Sequence, residues 1–322
     1  MYRQFLDLFE IGSVNLPFSL PCKTSSQSYI GRFAPSPSGP LHLGSLVTAV
    51  GSYLRAKQHK GKWLVRIEDI DPPREQPGAA ANILNTLKHH GLHWDEHVFY
   101  QSQQYHVYEQ VLDELRCGKL TYYCRCTRKE WLAAGHIHCP CRELDLDAKG
   151  CSIRLKNDLP VLHMQDVARG DIDFAPQAAS EDFVLKRKDG LYGYQLAVVL
   201  DDIRQGISEV VRGVDLLPAT AYQLALYQTF FIAKPAYLHL PLVFGDDGNK
   251  LSKQNHAPAL VNEQAQTNLR QALSFLGAVV PPSLVRAPPA DLLQWAQDAC
   301  KLDGISSQSA GFDNRIGTPD SI

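Results

Sequence analysis

Three clusters in this 322-residue sequence bring reactive side chains together. The first is GRFAPSPSGPLHLGSL (31–46), where prolines and glycines crowd ahead of a helical pattern and His42 stands at the junction. Gly39 and Gly44 leave room for a ligand near the backbone, and a helix start offers unpaired N–H groups and a positive dipole end to a phosphate. His42 is then either a phosphate-facing ring or the cap of a turn. The second is GDDGNKLSKQN (245–255), a Gly/Asp turn that sets Lys250 and Lys253 around Ser252. Alone, it reads as a solvated basic loop. The third is YYCRCTRKEWLAAGHIHCPCREL (122–144), with Cys124 and Cys126, then Cys139 and Cys141, twelve residues apart and with His138 alongside. Four thiolates in two tight pairs suit one closed, tetrahedral, structural Zn²⁺.

These residues need a scaffold. YIGRFAP (29–35) reads as a short strand closed by Pro35 and Pro37. Leu43, Leu46, Val47, Val50 and Leu54 follow helical spacing, and Gly61 stops the helix. KWLVRIED (62–69) reads as a buried strand. Strand, turn, helix and strand make the first half of an α/β nucleotide-binding fold. Further on, NLRQALSFLGA (268–278) and ADLLQWAQDACK (290–301) read as helices, and the tail after them as disordered.

The bulk properties exclude several classes of function. A hydrophobic share of 44% and a charged share of 20% describe a soluble globular chain. A net charge of −2 gives no chain-wide footprint for nucleic acid, so any RNA contact must be local. Arg116, Lys119, Arg125, Arg128 and Lys129 form such a patch beside the cysteines, although a solvated face is the commoner meaning of such a run. No apolar run approaches the ~20 residues of a membrane span. Residues 1–28 read as a poorly ordered extension rather than a signal peptide, which implies a cytoplasmic protein. There, eight cysteines serve as thiols or metal ligands, and Cys22, Cys117, Cys151 and Cys300 are lone structural ones.

Taken as a pair, His42-Leu43-Gly44-Ser45 and Lys250-Leu251-Ser252-Lys253-Gln254 resemble the two signatures of class I aminoacyl-tRNA synthetases, with Ser45 and Gln254 as departures. RFAPSPSG, VRIEDIDPPRE (65–75), GLHWDE (91–96), DGLYGYQLAVVLDD (189–202), VVRGVDLL (210–217) and HLPLVFGDDGNKLSK (239–253) are similar, in order, to the catalytic domain of glutamyl-tRNA synthetases. The ending KLSKQNHAPAL (250–260) resembles most closely the truncated branch of that family, the glutamyl-queuosine tRNA(Asp) synthetases.

The resemblance implies an α/β fold: a Rossmann-type class I catalytic domain over 29–260, an insertion at about 100–185 that carries the zinc site, and a short helical C-terminal region over 261–322 without an anticodon-binding domain. It implies a monomer that uses ATP with Mg²⁺ to activate L-glutamate and esterifies it onto queuosine in the anticodon of tRNA(Asp). His42, Gly44, Lys250, Ser252 and Lys253 would bind ATP, with His42 and Lys253 catalytic. Arg32, Phe33, Ala34, Pro35 and Ser36 would line the glutamate pocket, Glu68 would take the α-amino group, and Tyr194 and Arg212 would complete it. The planar forks of Arg32 and Arg212 suit a side-chain carboxylate. In the family the zinc ligands are a Cys-x-Cys pair, a tyrosine and a later cysteine. Here the tyrosine position falls on His138, so the expected ligands are Cys124, Cys126 and Cys141, with Cys139 ahead of His138 as the fourth. Two other readings stay open, a shortened synthetase charging a tRNA 3′ end and a catalytically silent RNA-binding paralogue. Intact His42, Glu68, Arg212 and Lys253 argue against silence.

Overall fold

The computed structural model describes residues 28–133, 138–244, 251, 257–303 and 305. The readings of residues 1–27, of Lys250, Ser252, Lys253 and Gln254, and of the C-terminal tail lie outside the described residues.

The nucleotide-binding half forms as the pattern predicts. Strand β1 (Ile30–Phe33) leads into helix α1 (Leu43–Gln58), then β2 (Lys62–Ile67), α2 (Ala79–His89) and β3 (Phe99–Tyr100). Five of the six β2 residues are buried, the mark of a strand covered on both faces. Helix α1 packs Leu46, Val47, Val50 and Leu54 into the core beside Trp63, Val65 and Ile67. The turn beyond its end needs Gly61: a Cβ there would sit 2.2 Å from the Tyr29 carbonyl oxygen.

The middle of the chain supplies α3 (Tyr105–Cys117), β4 (Thr121–Cys124), α4 (Arg128–Ala133), β5 (Ser152–Leu155), β6 (His163–Asp166), β7 (Gly170–Asp173), α5 (Pro176–Ala179) and β8 (Val184–Lys186). Strands β4, β5 and β8 form an antiparallel sheet, and β6 with β7 forms a hairpin. The second parallel half follows with α6 (Tyr194–Arg204), β9 (Glu209–Gly213), α7 (Leu217–Thr229) and β10 (Ala236–Leu240), and two helices close the chain, α8 (Ala265–Phe275) and α9 (Pro289–Ala299).

Strands β1, β2 and β3 pair in parallel, as do β9 and β10. Ser208 joins the two halves: its amide donates to the Ile30 carbonyl at 2.9 Å and its hydroxyl accepts from the Ile30 amide at 2.9 Å. The layer therefore runs β3-β2-β1-β9-β10, and the chain order reverses between β1 and β9. Helices α8 and α9 bury Leu269, Leu273, Leu292 and Leu293 in the same core as α1. The β6–β7 hairpin returns to the main layer, packing Met164 and Ile172 with Val210 and Tyr237. Among the described residues no helix is long and apolar enough to cross a membrane.

Candidate active site

Open α/β sheets bind ligands beyond the carboxyl ends of their strands, where the order reverses. A cleft of about 970 Å³ lies there, lined by Arg32 through Ser36 at the end of β1 and just beyond it, Glu68 after β2, Val211 to Gly213 at the end of β9, and Pro241 to Val243 after β10. His42, Gly44 and Tyr194 line it too, so every described ATP- or glutamate-site residue expected from the sequence borders one cavity.

His42 caps α1 with its ring. The Ser45 amide donates to its Nδ1 at 3.3 Å, which places the proton of the neutral imidazole on Nε2. A Cβ at Gly44 would crowd the His42 ring, 3.1 Å from Cε1, and would lie at ordinary contact distance, 3.4 Å, from the Leu251 carbonyl oxygen. The two meanings offered for His42 are thus compatible: one ring nitrogen caps the helix and the ring borders the cleft. The first turn of α1 carries no acidic residue to oppose an anion.

The floor is a buried charge network. Arg32 donates from Nε to Asp202 Oδ1 at 3.0 Å and from Nη2 to Asp202 Oδ2 at 3.2 Å. Arg66 Nη2 lies 2.7 Å from Asp202 Oδ1 and 3.6 Å from Glu68 Oε1. Burial works against the Asp202 charge, but Arg32 and Arg66 outweigh it and hold the carboxyl below its usual range. Asp201 accepts from Gln101 and Tyr108 instead, and burial pushes it up to about 6 despite Arg66. Glu68 is pushed up to about 7, by burial first and by Asp202 and Asp201, against the pull of Arg66 and Arg32.

Arg212 is held from behind. Its Nε donates to His239 Nε2 at 3.2 Å and its Nη2 to the Thr220 hydroxyl at 2.8 Å. Neither arginine offers its whole fork, as the sequence had suggested: Asp202 takes two nitrogens of Arg32, and His239 and Thr220 take two of Arg212. Four buried atoms of cleft-lining residues have no hydrogen-bond partner among the described residues, Gln101 Oε1, Arg154 Nε, Arg212 Nη1 and Glu68 Oε1, and the last of these keeps only the 3.6 Å ion pair with Arg66. The last two are the ones beside the floor network. One is a cationic donor and the other an acceptor. An α-amino acid carries the carboxylate and the ammonium that would satisfy both.

Asp202, Arg66, Asp166 and His239 were missed as site residues. Arg66, Asp202 and His239 lie inside stretches that resemble the glutamyl-tRNA synthetase pattern and Asp166 lies in none of them, and no local spacing assigns any of the four a role.

The cysteines form their own centre. The sulfurs of Cys124, Cys126, Cys139 and Cys141 all lie within 4.8 Å of one another, with separations of 3.6 Å (Cys124–Cys139), 3.4 Å (Cys126–Cys139) and 3.7 Å (Cys126–Cys141). Zn–S bonds of about 2.3 Å imply tetrahedron edges near ~3.8 Å. His138 turns away, its Nδ1 3.3 Å from Asp182 Oδ1 and 3.1 Å from Arg142 Nη1. Cys126 and neighbouring Trp131 also border the cleft, and the Arg154 guanidinium stacks over the Trp131 ring at 3.9 Å.

Comparison with known proteins places this geometry. Residues 30–276 match the catalytic-domain model of class I tRNA synthetases (E and Q). The chain is 50% identical over 283 residues to a glutamyl-Q tRNA(Asp) synthetase of Photobacterium profundum, covering 88% of this chain and 91% of that one. A glutamyl-Q tRNA(Asp) synthetase of Salmonella typhi is 54% identical over 250 residues, 77% of this chain and 84% of that one. Among solved structures, a glutamate tRNA ligase from Elizabethkingia meningosepticum, in complex with its amino acid, superposes with a TM-score of 0.61 at 28% identity. The match covers 71% of this chain and 52% of the ligase, so the chain spans about half the length of that enzyme.

Proposed function

We propose, from the premise that the chain belongs to the class I tRNA synthetases (E and Q) and within them to the glutamyl-Q tRNA(Asp) synthetases, that it activates L-glutamate with ATP and transfers it to queuosine in tRNA(Asp). The observation that carries the reading is the presence in one cleft of Arg212 Nη1 and Glu68 Oε1, buried and without a hydrogen-bond partner among the described residues, with His42 on the same cavity at the start of α1.

In the first step a glutamate α-carboxylate oxygen attacks the α-phosphorus of ATP, and pyrophosphate leaves. The chain contributes position and charge rather than covalent chemistry. Glu68 takes the ammonium, Tyr194 lies within electrostatic reach of Glu68, Arg212 and Arg32, and the two arginines present the remaining ends of their forks to the side-chain carboxylate. His42 Nε2–H and the N-terminal amides of α1 face the phosphates. Lys250, Ser252 and Lys253 would add to ATP binding, with Lys253 as the cation on the phosphates, as the resemblance implies. A Mg²⁺ that accompanies ATP would neutralise part of the phosphate charge. In the second step a hydroxyl of the queuosine cyclopentene diol attacks the glutamyl carbonyl, an ester forms and AMP leaves. The four thiolates would hold one structural Zn²⁺ that orders the wall carrying Trp131.

The test offers ATP and labelled glutamate to an anticodon stem-loop carrying queuosine, the same stem-loop carrying guanosine, and whole tRNA. Label is expected on the queuosine stem-loop and on the queuosine of whole tRNA(Asp), and none on the guanosine stem-loop. Label on the 3′-terminal adenosine of whole tRNA would replace this reading with that of a shortened charging enzyme.

A further inference from the structure

Behind Arg212 lies a buried chain of groups that the proposed chemistry does not use. His239 stands opposite Arg212 in the parallel β9–β10 register and is fully buried. An arginine can only donate, so the 3.2 Å contact from Arg212 Nε makes His239 Nε2 an acceptor. The ring proton must then sit on Nδ1, where Asp166 Oδ2 accepts it at 2.6 Å. Asp166 is itself fixed: it accepts from the backbone amides of Ala168, Arg169 and His239. From the other side, Arg169 Nε donates to the His239 carbonyl oxygen at 3.2 Å. Burial keeps the His239 ring neutral, with its pKa down at about 4, so the ring does not repel the guanidinium.

We infer that Asp166 and His239 are positioning residues for substrate recognition: they lock the imidazole tautomer that holds Arg212 by Nε and so leave Nη1 as the end offered to a carboxylate ligand. The inference rests on the reading of Arg212 as a contact to glutamate. It adds that the β6–β7 hairpin, which carries Asp166 and lies far from β9 in sequence, sets the selectivity of the amino-acid pocket. A guanidinium free to rotate about its last bonds would meet an amide as readily as a carboxylate. One fixed by its back edge presents the same nitrogen each time, and an amide then leaves it underpaired.

Two substitutions of one residue separate positioning from packing. The amide of Asn reaches roughly where His Nδ1 lies and so can keep the Asp166 contact while losing the acceptor for Arg212. The amide of Gln reaches roughly where Nε2 lies and so can restore that acceptor. Glutamate and glutamine binding to the full chain would be measured by calorimetry for the unsubstituted protein, His239→Asn, His239→Gln and Arg212→Ala, each checked for an unchanged fold by circular dichroism and thermal unfolding. His239→Asn is expected to weaken glutamate binding by about tenfold or more, the range of a hydrogen bond to a charged group. It should also narrow the preference for glutamate over glutamine. His239→Gln should recover at least half of that loss in both quantities. A folded His239→Asn protein with unchanged affinity and preference would overturn the positioning role, as would equal loss in the Asn and Gln variants. Should Arg212→Ala itself leave glutamate affinity unchanged, the reading of Arg212 fails first, and the outcome of the histidine variants is then distinct from it.

Discussion

Glu68 is where substrate recognition and proton binding meet. Its carboxyl is buried against Arg66 and is pushed up to about 7 from its ordinary 4.5. Only the carboxylate pairs with an ammonium, so glutamate affinity should fall by about tenfold per unit as pH drops below 7. The substrate's own groups do not change charge between pH 6 and 8, which makes the slope diagnostic. Calorimetric titration at pH 6, 7 and 8 should show it, and Glu68→Gln should bind weakly with no slope. The same raised value has a consequence for stability. The folded chain holds this proton more tightly than the unfolded one, so the contribution of Glu68 is greatest below about 4.5 and is lost as pH rises to about 7. In Glu68→Gln that part of the pH dependence of unfolding should vanish.

At the scale of elements, helix α6 ties the pocket together. Asp201 and Asp202 are adjacent, and about 100° of helical rotation sends them to different partners. Asp201 meets Gln101 and Tyr108, while Asp202 receives Arg32 from β1 and Arg66 from β2. Removing one member of such a buried set leaves charges uncompensated. Asp202→Asn should therefore lose about 3–5 kcal/mol of stability, read from urea unfolding. Glu96→Gln, which breaks the exposed pair with Lys62, should leave the midpoint where it is. The elements themselves were legible because their signals are local. The strand read at 62–69 forms over 62–67, and the helices read at 268–278 and 290–301 form over 265–275 and 289–299, while α1 already ends at Gln58, with Lys60 rather than Gly61 in the left-handed conformation. Two tight Cys-x-Cys pairs likewise announced the thiol cluster. The charge network was not legible. Arg32 and Asp202 are 170 residues apart, and Asp166 and His239 are 73 apart. KWLVRI reads as a buried strand, but nothing local says what would pair with the charge of Arg66, which in the fold is completely buried. Burial of this kind is decided by which strands become neighbours.

For the whole molecule, the middle segment divides between two cores, and that division predicts how metal loss will be felt. The β6–β7 hairpin packs with Val210 and Tyr237 of the main layer and carries Asp166 to His239. The cysteines instead gather in a separate small cluster with Tyr122 and Trp131. Glutamate's proposed contacts all come from the parallel layer and α6, whereas Trp131, Arg154 and Cys126 border the cleft from the cysteine side. A chain that lost order around the thiols would keep its amino-acid pocket and lose the cleft wall that carries Trp131 and Arg154. Cys139→Ser is the informative change, because Cys139 lies within hydrogen-bonding distance of both Cys124 and Cys126. The purified chain should carry about one Zn²⁺, and Cys139→Ser should lose it while Cys300→Ser keeps it. Glutamate-dependent ATP–pyrophosphate exchange should survive in Cys139→Ser within a few-fold, while transfer to the queuosine stem-loop should fall by at least ~10-fold, as losses of a metal-shell partner commonly do. Equal loss of both activities would mean that the two cores are coupled and that the thiol cluster supports the amino-acid pocket as well.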